Sequence, residues 1–153
     1  MLSKKKVIIT IKNFEQNFFE YRKSKKKIIN MKMNKIEFLN IEKFKDKACK
    51  PKNKEYVLLS EFFNDYQRYF DFQQNDIITN LELILNNKKT FDEIHDSEVY
   101  WCIGSGLGIG YFEVENKTAY FEPNEKLTDA PRIKMPLREL ILLLKEWNEF
   151  LKN

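Results

Sequence analysis

The sequence predicts an α+β fold: N-terminal helices, a three- or four-stranded antiparallel sheet, and a C-terminal helix packed on that sheet. Three observations predict it. Apolar residues recur at helical spacing from Leu59 to Leu85, at a spacing of two from Val99 to Glu122, and at helical spacing again from Pro136 onward.

The chain of 153 residues is one domain's length. Residues 1–32 read as an appended, dispensable basic arm, and residues 33–153 as a single α+β domain. In the arm, Val7 to Ile11 fits a short strand, and Phe14, Phe18, Phe19 and Tyr21 fit a short helix with an aromatic face. Lys4 to Lys6 before Val7 to Ile9 imitates a secretion signal, but the apolar stretch ends at Lys12 and no small-residue cleavage site follows.

Ile36 to Phe44 is apolar at 36, 38, 39, 41 and 44, which fits a short strand and an amphipathic turn equally well. Lys45 to Lys54 reads as a basic loop containing Pro51. Ser60 is placed to cap a helix with Leu59, Phe62, Phe63, Tyr66, Tyr69 and Phe70 on one stripe. Ile77, Ile78, Leu81, Ile84 and Leu85 mark a second helix that ends at Asn86-Asn87. Thr90 and Glu93 have the spacing of a capping box and predict a short third helix.

Val99 to Ile103 reads as a strand. Phe112 and Val114 alternate with Tyr111, Glu113 and Glu115, and Ala119 and Phe121 alternate with Thr118, Tyr120 and Glu122. Asn116-Lys117 is the expected two-residue turn of this hairpin. A short edge strand is expected at Arg132 to Met135. Pro136 is placed at the first helical position, where its missing N–H costs nothing. Leu137, Leu140, Ile141, Leu144, Trp147 and Leu151 then form the buried stripe of the last helix.

Charge is unevenly divided. Residues 1–54 carry 17 Lys/Arg against 5 Asp/Glu, and residues 55–153 carry 10 against 18. A basic arm on an acidic body is one reading, and a lysine-rich surface composition is the other. The longest aliphatic run, Leu140 to Leu144, is far shorter than the ~20 residues a membrane span needs. Two cysteines, Cys49 and Cys102, are too few for a disulfide scaffold and lack metal-ligand spacing, so a reduced, cytoplasmic protein is expected. Cys102 reads as a small core residue, and Cys49 falls in the basic loop.

The four glycines all lie between Gly104 and Gly110. Their spacing is every second residue and a strand follows, so they are not a dinucleotide fingerprint. Without a neighbouring Lys they are not a phosphate loop, and Ser105 lacks the flanking glycines of a nucleophile elbow. They read as a glycine-rich hairpin or bulged strand. His95 is the one histidine, with Asp92 and Asp96 a helical turn or less away, and reads as a surface residue. Glu113 and Glu115 share a strand face without a third ligand. No nucleophile, base and orienting group can be assembled, and no cofactor or metal is expected.

The Gly-rich strand leading to Tyr111-Phe112-Glu113-Val114, the Asn116-Lys117 turn, Thr118 to Glu122, Met135-Pro136-Leu137 and the terminal Leu144-Lys145-Glu146-Trp147-Asn148-Glu149-Phe150-Leu151 follow one another over residues 97–152. That stretch resembles small bacterial immunity proteins of contact-dependent growth inhibition and polymorphic toxin systems. The resemblance implies a cytoplasmic, non-enzymatic inhibitor whose partner is a cognate toxin domain, commonly a nuclease. It carries no residue map, and Pro136 stands where such helices often have a capping Ser or Thr. From charge and expected exposure, the contact is assigned to Asp92, Glu93, Asp96, Glu98, Glu113, Glu115 and Tyr120. The alternative is a nucleic-acid-binding or regulatory protein that uses the basic arm, with Phe18, Phe19 and Tyr21 beside Arg22 to Lys27.

Overall fold

The computed structural model of the chain describes residues 35–68, 74–95, 102–104 and 108–153. The expected arm, Tyr69, Phe70, Asp96, Glu98, Val99 to Trp101 and the side chain of His95 lie outside the described set.

The first element whose bounds are described is a β-hairpin, ahead of the helices of the domain. β1 (Ile36–Ile41) pairs antiparallel with β2 (Asp46–Pro51), and Phe38 faces Cys49 across the ladder. The expected basic loop is therefore largely a strand. Pro51 is tolerated because it ends the strand. The link between the strands is one 3₁₀ turn, Glu42–Phe44, closed by Lys45 in the left-handed region at φ 50°.

Helix α1 (Val57–Arg68) follows a 3₁₀ turn at Lys54–Tyr56, where Glu55 N donates to the Asn53 side chain at 2.9 Å and Tyr56 N to the Asn53 carbonyl at 3.2 Å. Ser60 is thus not the cap. It lies inside the helix, buried, with Oγ donating to the Val57 carbonyl at 2.9 Å. Leu58, Leu59, Phe62, Phe63 and Tyr66 are buried along α1. Helix α2 (Gln74–Leu85) ends as the sequence predicts: Asn87 adopts φ 58° and Lys88 N donates back to Leu83 O at 2.8 Å. Helix α3 (Phe91–His95) opens on a complete capping box, Thr90 N to Glu93 Oε2 at 3.0 Å and Glu93 N to Thr90 Oγ1 at 3.3 Å.

The second sheet is antiparallel with the order β3 (Cys102–Ile103), β4 (Gly110–Glu115), β5 (Thr118–Pro123), β6 (Ile133–Pro136). Asn116 and Lys117 turn β4 into β5 with φ of 50° and 58°, the positive pair that matches strand twist. Pro136 closes β6, so helix α4 (Leu137–Lys152) begins one residue later than expected. Leu137 N donates to Lys117 O at 2.9 Å, which fixes the start of α4 to the hairpin turn.

α1 lies between the two sheets. Phe62 packs on Phe112 and Phe121 of the four-stranded sheet, at ring separations of 4.8 and 5.3 Å. Its neighbour Phe63 faces the other way, to Phe38 of the hairpin and Trp147 of α4. α4 packs against the four-stranded sheet, α1 and α2, which explains why its buried face is wider than one stripe: Leu143 and Asn148 are buried as well, and Leu151 is half-buried. Lys47 of β2 donates to the carbonyls of Phe150 and Leu151, a cation at the negative end of the helix.

The two cysteines exchange the places that the sequence assigns them. Cys49 is buried because it is an inward residue of β2. Cys102 is exposed because the pairing of Ile103 with Gly110 turns Ile103 inward and Cys102 out. The glycine block behaves as a bulged connection at its described positions. Ile109 N bonds Ile103 O at 2.7 Å, and Gly110 lets the Glu122 carbonyl approach to where a Cβ would lie 2.3 Å from it. The Asp65 carboxylate of α1, nearly buried, accepts from Gly104 N at 2.6 Å and ties the start of the block to the core.

Candidate functional site

Alternation along the hairpin divides the four-stranded sheet into two faces. Gly110, Phe112, Val114, Ala119 and Phe121 are buried under the helices. Tyr111, Glu113, Glu115, Thr118, Tyr120 and Glu122 form the opposite face. The pairing sets them in rows. Cys102, Tyr111 and Glu122 form one row; Glu113, Tyr120 and Lys134 the next; Glu115 and Thr118 the third.

Three of the seven residues expected to form the contact, Glu113, Glu115 and Tyr120, share this face. Asp92 of α3 approaches from the helix-covered side, where Phe91 packs on Phe112: it lines, with Glu115, a surface cleft of about 560 Å³ that also holds Lys89, Lys117 and Val114. Glu93 is exposed beside Asp92, but its carboxylate is engaged in the capping box. Asp96 and Glu98 lie outside the described residues.

The face has charge polarity that the strand-by-strand reading missed. Its acids belong to β4 and β5, as Glu113, Glu115 and Glu122, whereas β6 and the residue before it supply Lys134 and Arg132. Arg132 crosses the boundary. Its Nε donates to the Glu122 carboxylate, and its guanidinium carbon lies 4.5 Å from the centroid of the Tyr120 ring. Tyr120, expected as a free aromatic, is therefore half covered by its own chain. Tyr111 is 51 % exposed, and Leu127 is 48 % exposed on the loop between β5 and β6. That loop is pinned by Asn124, whose N–H bonds Ile109 O at 2.8 Å and whose carbonyl accepts from Leu127 N at 2.8 Å. A second cleft of about 870 Å³ runs between Tyr111 and this loop.

Tyr111, Glu122, Arg132 and Lys134 are the site residues that sequence reasoning omitted. The period of two already put Tyr111 and Glu122 on the face of Glu113. Nothing local could place Arg132, whose position depends on the path of a nine-residue connection. What the arrangement offers chemically is recognition: aromatic rings between carboxylates on a rigid antiparallel scaffold. Among the described residues, no three His, Cys, Asp or Glu side chains are placed to hold a metal, and no helix is long and apolar enough to cross a membrane.

No family model, curated protein or solved structure matches the chain.

Proposed function

We propose that this chain is a binding protein without turnover of its own: an immunity protein that occludes the active site of a bacterial toxin domain in the cytoplasm. The observation that carries the reading is the outer face of the four-stranded sheet, where Glu113, Glu115 and Tyr120 converge, with Asp92 across a cleft from Glu115. Aromatic rings supply buried contact area once a partner docks, and the surrounding charges set partner choice and association rate. The acidic β4 margin suits a toxin with a basic surface, which a nuclease needs for phosphate.

The test is titration of the full chain with the toxin domain encoded beside it. Glu113→Lys with Glu115→Lys should slow association about tenfold and flatten its salt dependence, because steering by exposed charge is screened over ~8 Å at physiological ionic strength. Deleting residues 1–32 should leave that binding intact.

A second reading, nucleic-acid binding through the basic N-terminal arm, draws support from a further basic and aromatic feature outside the arm, the tip of the β1–β2 hairpin. There Phe44 is 71 % exposed between Lys43 and Lys45. In that case the same deletion weakens binding strongly, Phe44→Ala weakens what remains, the ligand is DNA or RNA, and affinity falls steeply with salt. Immunity is then the wrong reading.

A further inference from the structure

We propose that Arg132 is a stand-in: in the free protein it fills the place that an arginine side chain of the partner takes on docking. The proposal rests on the binding-face reading and names the partner chemistry of that face.

Among the described residues Arg132 contacts the ring of Tyr120 and the carboxylate of Glu122. Both belong to β5, two residues apart on the outer face, with Glu113 opposite Tyr120 and Tyr111 opposite Glu122. Without Arg132 the Glu122 carboxylate would stand between two aromatic rings, with a second carboxylate diagonal to it. A planar cation that stacks and donates in pairs fits such a slot, which favours a guanidinium over an ammonium.

Release is inexpensive for three reasons. Arg132 precedes β6, so its side chain can leave without disturbing the ladder to β5. Its side chain is 53 % exposed against 19 % for Glu122, so water reaches and screens the pair from the arginine side. A cation held over a ring gains strength as water is excluded, so an incoming arginine sealed beneath a docked partner outcompetes one that remains in solvent. Tyr111 repeats the chemistry: a ring opposite a carboxylate, 51 % exposed.

The proposal is tested with Arg132→Ala and a blocked Gly-Arg-Gly peptide, observed through the amide resonances of Tyr120 and Glu122. The variant should bind the peptide at least about fivefold more tightly than the native chain, and adding Tyr120→Ala or Glu122→Gln should remove the gain. A Gly-Glu-Gly peptide should do nothing. With the toxin domain, Arg132→Ala should tighten the complex about three- to tenfold, since no internal cation must first be displaced. Urea denaturation of Arg132→Ala checks that the fold is retained; Arg132→Gln, which keeps bulk without charge, should repeat both gains. Equal peptide affinity in native and variant chains overturns the stand-in, as does weaker toxin binding by both variants, which would make Arg132 itself the contact. Peptide binding as expected with no capture of the toxin domain would leave the slot standing and remove the immunity reading.

Discussion

The side-chain amide of Asn64 serves both backbone groups of Cys49: Nδ2 donates to Cys49 O at 2.9 Å, and Oδ1 accepts from Cys49 N at 2.8 Å. A helix side chain thus stands where a third strand would pair with β2. This satisfies an edge that packing against α1 would otherwise bury unpaired. Asn64→Ala should cost about 2–4 kcal/mol, because an N–H and a C=O both lose their partner. Urea denaturation measures it. A loss below about 0.5 kcal/mol would mean that water replaces the amide.

Adjacent residues of α4 predict effects of opposite sign. Trp147 is fully buried, stacks against Phe63 and Phe150, and donates Nε1–H to the Phe63 carbonyl at 2.9 Å. Trp147→Ala should cost about 3–5 kcal/mol, and Trp147→Phe clearly less, since a ring remains and only the donor is lost. Asn148 is 8 % exposed, and its Oδ1 is buried without a hydrogen-bond partner among the described residues. Asn148→Leu should raise stability by about 1 kcal/mol, read as a higher melting temperature. A lower melting temperature would show that the amide has a partner in solution.

The glycine block is needed most at its last position. Gly110→Ala places a methyl group 2.3 Å from the Glu122 carbonyl, backbone that cannot swing away. A cost of about 2–3 kcal/mol is expected, with disturbed amide resonances along β4 and β5. A neutral substitution would mean that the two strands separate there easily.

The cysteines should react at very different rates. Cys102 is exposed and should be labelled by a thiol reagent in the native state at pH 8; Cys49 should be labelled only on unfolding. Burial, aided by the Glu61 charge, pushes the Cys49 thiol up from 9.0 to about 12. The folded state therefore holds its proton while the unfolded chain releases it. The stability this thiol contributes is complete below pH 9 and declines as pH rises from 9 toward 12, by at most about 1.4 kcal/mol per pH unit. Burial raises Tyr66 as well, which adds loss above pH 10. Cys49→Ala should flatten the alkaline slope in denaturation series; an unchanged slope would assign it to other groups.

Local and periodic signals were enough for much of the fold. The change of period located β4, β5 and α4; Thr90 and Glu93 announced their capping box; Asn116-Lys117 announced the hairpin turn; and Trp147 read as core. Each depends on neighbours within a few residues or on one repeating spacing, so the sequence by itself determined it. Only the tertiary structure decided that residues 46–51 are a strand, because the amide that completes its edge comes from Asn64 on another element. Only it decided that Cys49 is covered and Cys102 bare, since a one-residue phase in pairing reverses every side chain. The acids of the outer face were legible as alternation. Arg132 on Tyr120 was not, because a loop brings it there, and a loop's path follows from what it packs against rather than from its own residues.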